Sequence, residues 1–266
     1  MAGRLFVVGD IHGCVDELDT LLDALALAPR DTVVFVGDYV DRGPASKDVI
    51  DVLLELRRNS DILTTFLKGN HEDMLLAYMG LAGQHGEAYL HNGGVETLVS
   101  YGLHPLTPGP EVAAALPAEH LQFFRELALT HTIGSFLMTH AGIDPERPLA
   151  EQREEDLLWI RERFVNHPHA LPYTVCFGHT PRRDVFLHLP YKIGLDTGCV
   201  YGNRLSCIEL RESRLFQVRR GGRRIESRDL RSRFRAAGIE LTLAASAPAT
   251  GSAGRGGGNS GAPGTP

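Results

Sequence analysis

The sequence has no hydrophobic run long enough to cross a membrane, and it has few cysteines. A bilayer span needs roughly 18–20 consecutive apolar residues, whereas the first apolar run is only Leu5–Val8. That run is also too short for the core of a signal peptide, so we expect a cytoplasmic protein with no membrane partner. The four cysteines form no C-x-x-C pair and no small-domain disulfide spacing, which predicts reduced, partly buried thiols.

Charge is unevenly distributed along the 266 residues, although the net charge of −6 is modest. The stretch Arg219–Arg235 contains eight arginines against two acidic residues, which leaves the remainder acidic. We predict a catalytic domain over residues 1–218, a basic C-terminal segment over 219–240 with a helix over Arg228–Ile239, and a disordered low-complexity tail over 241–266. The basic segment is either a solvated surface or a contact for an acidic partner, and a nucleic acid is not the expected partner.

Apolar runs alternate with helical patterns in the first part of the chain. Leu5–Val8, Thr32–Val36 and Ile62–Leu67 read as buried strands, and an amphipathic helix pattern follows each of them. Short strands dominate from Thr132 onward, beginning with one over Ile133–Met138, and a helix is predicted over Glu154–Phe164. These patterns predict an α/β fold in which two packed mixed sheets are flanked by helices, and ligands in such folds bind at the carboxyl ends of the strands.

Side chains that bind metals follow these strands, in GDIHG (9–13), GDYVDRG (37–43), GNHE (69–72), HAG (140–142) and GHT (178–180). The candidate metal ligands are Asp10, His12, Asp38, Asn70, His140 and His179. The two oxygens of Asp38 can bridge a pair of ions, and the neutral amide of Asn70 suits an ion that anionic ligands already hold. Mixed Asp, His and Asn ligation favours two divalent ions, with Mn²⁺ first and Fe or Zn²⁺ as alternatives.

Other residues of the same motifs can handle a phosphate group. Two ions roughly 3.5–4 Å apart can hold a hydroxide that attacks phosphorus in line with the leaving group. His71 directly follows Asn70 and is the candidate general acid, and the Asp41 carboxylate can keep that imidazole protonated. Arg42 offers a planar fork for phosphate oxygens.

Together these motifs resemble those of the PPP family of calcineurin-like metallophosphatases, in the branch of bacterial and bacteriophage-lambda-like serine/threonine phosphatases. The resemblance covers residues 4–218 and implies an α/β/β/α sandwich with a dinuclear metal centre. It implies that Asp38 is shared between one ion with Asp10 and His12 and a second ion with Asn70, His140 and His179. It also implies a second phosphate-binding arginine, Arg161, for which Arg163 is the alternative.

The resemblance predicts a phosphomonoesterase that acts on phosphoserine or phosphothreonine in proteins, with phosphotyrosine as a further substrate. The main alternative is a symmetrical diadenosine tetraphosphate hydrolase, because Leu195–Cys199 also resembles those enzymes. Asp41 argues against that alternative, since those enzymes typically lack an aspartate there. Thr180 and Pro181 replace the G-H-x-H ending of many phosphodiesterases, and the complete ligand set argues against a non-catalytic binding module.

Overall fold

A computed structural model describes residues 3–239 of the chain. The strands within these residues are β1 (Leu5–Val8), β2 (Thr32–Phe35), β3 (Leu63–Phe66), β4 (Thr130–Ile133), β5 (Phe136–Thr139), β6 (Thr174–Phe177), β7 (Phe186–His188), β8 (Lys192–Gly194), β9 (Arg204–Glu209), β10 (Arg214–Arg219) and β11 (Ile225–Asp229). The α-helices are α1 (Val15–Leu25), α2 (Ser46–Arg58), α3 (Asn70–Tyr78), α4 (Gly94–Ser100), α5 (Gly109–Ala115), α6 (Ala118–Arg125), α7 (Glu154–Trp159), α8 (Glu162–Val165) and α9 (Arg231–Ala236). Short 3₁₀ helices lie at Gly86–Ala88, Leu90–Asn92, Leu149–Glu151 and Cys199–Tyr201.

Two mixed sheets form the centre of the molecule. The first has the strand order β11-β10-β9-β1-β2-β3, and β1, β2 and β3 run parallel to one another. The second has the order β4-β5-β6-β8-β7, and β5, β6 and β8 run parallel. Parallel neighbours end at the same edge of a sheet, so the loops that follow these six strands can meet.

Alternating side chains of β1 divide the core into layers. Leu5 and Val7 pack with residues of the second sheet in the core between the sheets. Phe6 and Val8 point to the opposite face and pack with α1, α2 and α3. A third apolar cluster covers the outer face of the second sheet with residues of α7 and α8. The predicted arrangement of two sheets flanked by helices is therefore confirmed.

Two predicted elements differ from the observed ones where the backbone turns. The helix predicted over Glu154–Phe164 is interrupted at Arg161, whose φ of −129° and ψ of −106° are not helical. The strand predicted over Ile133–Met138 is a hairpin, because Gly134, with φ of 56°, reverses the chain between β4 and β5. In each case the apolar pattern continues through a turn. The pattern of apolar residues does not show where the backbone turns.

The basic C-terminal segment begins as a strand. Arg228 lies in β11, which pairs antiparallel with β10 at the edge of the first sheet, and the helix starts only at Arg231. The predicted helix start at Arg228 is therefore wrong, because backbone pairing with β10 extends through Asp229. Arg228 forms two 3.0 Å hydrogen bonds with Asp184, so part of the basic charge is used within the chain. The tail predicted over 241–266 lies outside the described residues.

None of the helices within residues 3–239 combines the length and the apolar character that a transmembrane span requires.

Candidate active site

All six predicted metal ligands are buried and lie just beyond the carboxyl ends of parallel strands, Asn70 at the first position of α3 and the other five in loops. Asp10 and His12 follow β1, Asp38 follows β2, Asn70 follows β3, His140 follows β5 and His179 follows β6. The edges of both sheets therefore contribute to one cluster. Asp41 and His71 are buried in the same cluster, Arg42 is half-buried, and Arg161 is exposed.

Several site residues adopt a backbone conformation that side chains normally avoid. Five predicted site residues have positive φ: His12, Asp38, Asp41, Arg42 and His179. Such conformations cost of order 1–3 kcal/mol each and persist where the surrounding structure fixes them, commonly at functional sites. The strain is consistent with loops shaped to aim these side chains at one point.

Two motif glycines allow the loops to pack closely around the carboxylates. A Cβ atom at Gly178 would collide with Oδ1 of Asp10, and one at Gly69 would collide with Oδ1 of Asp38. Any larger residue at either position would displace a predicted ligand. Glycine is therefore required before His179 and before Asn70, because a neighbouring loop leaves no room for a Cβ atom at either position.

The ligands assigned to the second ion bring acceptor atoms together. His140 donates from Nδ1 to the carbonyl of Val36 (2.9 Å), so its Nε2 carries a lone pair. That Nε2 lies 3.0 Å from Oδ1 of Asn70 and 3.4 Å from Oδ1 of Asp38. His179 approaches the same Asn70 oxygen through Nδ1, at 2.8 Å. The Nε2 lone pair of His140 and the Asn70 oxygen face one another in a buried site, and they repel unless a cation lies between them, so this donor set fits a metal ion.

The ligands assigned to the first ion show the same orientation. His12 donates from Nδ1 to the carbonyl of Val40 (2.8 Å), which leaves Nε2 facing Oδ2 of Asp38 at 3.4 Å. Nη1 of Arg42 lies 2.7 Å from this Nε2 and donates to it. If His12 binds an ion through Nε2, the guanidinium of Arg42 must turn away. Asp38 uses its two oxygens toward different histidines, as a bridging ligand would.

The pKa directions of the histidine ligands and of Asp38 fit metal ligation by neutral imidazoles and an ionised carboxylate, whereas burial raises the pKa of Asp10. Burial lowers the pKa of His12 to about 3 and also lowers the pKa values of His140 and His179. Burial opposes ionisation of Asp38, but the nearby histidines, His140 foremost, bring its pKa below the usual range. Deprotonated histidine and carboxylate are the forms that bind cations.

His71 has a different environment from the other histidines. Its Nδ1 lies 2.6 Å from Oδ2 of Asp41. Burial tends to lower the pKa of His71, but the charges of Asp38 and Asp41 outweigh burial and raise it. Its Nε2 is buried and has no hydrogen-bond partner within residues 3–239. A protonated imidazole with one free N–H toward the cluster is suited to donate a proton.

The Asp41 carboxylate is itself held in place. Its Oδ1 accepts a 2.6 Å hydrogen bond from Oγ1 of Thr97 in α4, which leaves Oδ2 for His71. The Asp41 amide donates to Oγ1 of Thr97 (2.8 Å) and to Oγ of Ser46 (3.0 Å). The sequence did not point to Thr97 or Ser46, because α4 and α2 meet Asp41 only in the folded chain.

Glu72 is the main structural residue of the site that the sequence did not identify. Its fully buried carboxylate accepts hydrogen bonds from four backbone amides: Asp38 (2.9 Å), Tyr39 (2.7 Å), Val40 (3.3 Å) and Gly69 (2.8 Å). It thereby joins the loop after β2 to the loop after β3. Burial raises the pKa of Glu72, with the charge of Asp38 acting in the same direction, while the hydrogen bonds from the backbone amides favour the carboxylate form and oppose the rise.

Replacing Glu72 by Gln is expected to lower the free energy of unfolding by about 3 kcal/mol or more, because an amide NH₂ would face buried N–H donors. The measurement is urea unfolding in the presence of a chelator, so that lost metal binding does not contribute. The matched control is Glu87→Gln, since the Glu87 side chain is 81% exposed and its replacement should change stability by less than about 0.5 kcal/mol. Equal stabilities of the two variants would contradict the role of Glu72.

Asp196 is a second buried carboxylate at the site that was not among the predicted residues. It follows β8 just as the predicted ligands follow their strands, which is the signal that could have identified it. Its Oδ1 accepts a 2.9 Å hydrogen bond from the amide of Gly198. Burial raises the pKa of Asp196 to about 6. Burial, together with the charge of Asp196, also raises the pKa of Asp10.

The two candidate arginines for the second phosphate contact have different surroundings. Nη2 of Arg163 pairs with Asp144 at 3.1 Å and with Glu146 at 2.9 Å. Arg161 forms no ion pair within residues 3–239. Its charge adds to the burial that lowers the pKa values of His140 and His179, and it opposes the rise that burial causes in the pKa of Asp196. Of the two, only Arg161 therefore has a guanidinium that is not paired with a carboxylate of the described chain.

Comparison with known proteins identifies the family. The calcineurin-like phosphoesterase family matches residues 3–205. Serine/threonine-protein phosphatase 1 of Salmonella typhimurium is 32% identical, over 76% of this chain and 90% of its own length. The asymmetrical bis(5'-nucleosyl)-tetraphosphatase PrpE of Oceanobacillus iheyensis is 25% identical, over 81% of this chain and 92% of its own length. Other relatives are named as symmetrical bis(5'-nucleosyl)-tetraphosphatases.

A solved structure provisionally described as a diadenosine tetraphosphatase superposes with a TM-score of 0.62. It is 29% identical and covers 82% of this chain and 94% of its own. The family match over most of the chain agrees with the two-sheet fold and with the buried cluster of Asp, Asn and His side chains. The chain belongs to the calcineurin-like phosphoesterase family and is a metal-dependent phosphoesterase.

Proposed function

We propose that this enzyme hydrolyses dinucleoside tetraphosphates such as diadenosine tetraphosphate. The observation that carries the proposal is the similarity, over nearly the full length of each relative, to proteins named for that activity. This similarity favours a diadenosine tetraphosphate hydrolase, which the sequence left as the alternative, over the serine/threonine protein phosphatase that was expected first. The argument from Asp41 concerned symmetrical hydrolases alone, so it does not oppose an asymmetrical enzyme.

In this proposal the reaction adds water across one P–O–P linkage. Two divalent ions, Mn²⁺ first among the candidates, would be held by the six ligands and would supply Lewis acidity and a water of lowered pKa. Arg42 and Arg161 would bind the non-bridging phosphate oxygens. His71, kept protonated by Asp41, would give its proton from Nε2 to the oxygen of the departing phosphate.

A second candidate is hydrolysis of phosphoserine or phosphothreonine in a protein or peptide. The relative from Salmonella typhimurium is named for it and is 32% identical. The His71–Asp41 pair also favours it, because an alkoxide is a poor leaving group that needs a proton, whereas a departing nucleotide phosphate is far less basic.

Product analysis tests the main proposal. Purified protein with Mn²⁺ is incubated with diadenosine tetraphosphate, and the nucleotides are separated by anion exchange. Cleavage of the central P–O–P linkage yields two ADP molecules, whereas cleavage of an outer linkage yields ATP and AMP, so either pair supports the proposal and reveals the bond that is cleaved. Intact substrate under conditions where a phosphothreonine peptide is hydrolysed would overturn it in favour of the second candidate.

Replacing Arg161 by Ala is expected to raise KM for diadenosine tetraphosphate about tenfold or more, since a hydrogen bond to a charged group contributes about 1.5–3 kcal/mol. Arg163→Ala is the matched control, because the Arg163 side chain is occupied by Asp144 and Glu146. Its KM should stay close to that of the unmodified enzyme. Steady-state kinetics of both variants decide the assignment, and the opposite pattern would transfer the role to Arg163.

A further inference from the structure

An exposed aromatic ring lies beside a proposed phosphate-binding arginine. Tyr201 is 62% exposed. The guanidinium carbon of Arg42 lies 5.7 Å from the centroid of its ring. Most of the Tyr201 surface therefore remains accessible at the mouth of the site, next to the group that would hold phosphate. A large apolar ring left exposed at a binding site is available to a ligand.

The loop that carries Tyr201 is fixed by hydrogen bonds and burial. Tyr201 ends the 3₁₀ helix Cys199–Tyr201, and Cys199 within that helix is buried. Nδ2 of Asn203 donates to the carbonyl of Thr197 at 2.6 Å. On the other side, the amide of Gly198 donates to Asp196. A ring presented on such a loop loses little conformational freedom when a ligand packs against it.

We propose that Tyr201 is the platform on which a nucleobase of the substrate stacks while its phosphates contact Arg42. The inference rests on the proposed function and assigns the residue that distinguishes a nucleotide from other phosphate compounds. A nucleobase fits because it is planar and stacks on aromatic faces, with a gain of about 1–3 kcal/mol per base. The Tyr201 ring and the Arg42 guanidinium are neighbours, just as the base and the phosphates belong to one nucleotide.

Equilibrium binding isolates the contribution of the base. Calorimetric titration with ADP and with pyrophosphate, each in the presence of Mn²⁺, compares two ligands that both present two phosphates and differ in the nucleoside. We expect Tyr201→Ala to weaken ADP binding by about 5- to 100-fold and to leave pyrophosphate binding unchanged. Tyr201→Phe keeps the ring and should bind ADP as the unmodified protein does. KM for diadenosine tetraphosphate should rise in Tyr201→Ala with kcat nearly constant.

Several outcomes would overturn the platform. Equal weakening of ADP and pyrophosphate would mean that Tyr201 only positions Arg42. Unchanged ADP affinity in Tyr201→Ala would show that the base does not contact Tyr201. A rise in KM for a phosphothreonine peptide alone would show that the Tyr201 ring contacts a peptide substrate and not a nucleobase. The test is separable from the proposed function: Tyr201-dependent preference for ADP without hydrolysis of diadenosine tetraphosphate would refute the activity and retain the platform.

Discussion

Replacing His71 by Asn should lower kcat for an alkyl phosphate, such as a phosphothreonine peptide, by about 10²- to 10⁴-fold. Asn keeps a polar side chain but cannot deliver a proton from the position of Nε2, whereas the Asp41 contact maintains that proton in the native enzyme. The loss should be smaller for diadenosine tetraphosphate, because its leaving group is a phosphate and needs less protonation. The ratio of the two losses is therefore the informative quantity.

The measurement is kcat for both substrates in the native enzyme and in the variant, with metal content checked in each preparation. His104→Asn is the control, since His104 is exposed and belongs to no predicted site. Unchanged turnover of the alkyl phosphate in His71→Asn would refute the general-acid role. Loss of bound metal in that variant would instead make His71 a ligand, a reading that its proximity to His12 and Asp38 also allows geometrically.

Replacing Asp38 by Asn should reduce metal content and activity together. Asp38 places one oxygen toward His12 and the other toward His140, so its charge contributes to both proposed ion positions. Metal ions stabilise a phosphoryl transition state by several kcal/mol, and a loss of about 4 kcal/mol corresponds to about 10³-fold in rate. We expect at most one tightly bound ion per chain instead of two, and a fall in kcat/KM of at least that order.

Elemental analysis after equilibration with Mn²⁺ and desalting measures the ion count. Asp184→Asn is the matched control, because Asp184 is an exposed partner of Arg228. Two ions retained by Asp38→Asn, with an unchanged rate, would contradict a bridging role. A variant that retains two ions but is inactive would show that Asp38 takes part in the reaction but is not needed to bind either ion.

The six candidate ligands lie close together, as the sequence led us to expect, because the signal that marks them is repeated; their role as metal ligands stays a prediction. An apolar strand followed by glycine and a metal-binding side chain predicts a loop at a sheet edge, and parallel pairing of β1, β2 and β3 aligns three such loops. The same reasoning applied to β8 would have added Asp196. The role of Glu72 was not predicted because its hydrogen-bond partners are backbone amides. The directions of these amides depend on the left-handed conformations in the loop after β2, which the sequence does not show.

Element boundaries were less predictable where backbone pairing or a turn opposed an apolar pattern. Arg161 lies within a pattern that suits one continuous helix, yet the chain turns there and leaves this arginine on the surface. Arg228 belongs to a basic stretch that suits a helix, yet β10 offers it a strand partner. The pairing partner of Arg228 is Leu215, across a hairpin, and local periodicity contains no information about such pairing.

The most direct test of the proposed function is a competition between the two substrate classes in one reaction. Diadenosine tetraphosphate and a phosphothreonine peptide are supplied together to the Mn²⁺-loaded protein, and the initial rates of consumption give the ratio of their kcat/KM values. We predict that diadenosine tetraphosphate is consumed preferentially, by about tenfold or more, as expected for a difference of about 1.4 kcal/mol in transition-state binding. Preferential consumption of the peptide would contradict the proposal and identify a protein phosphatase.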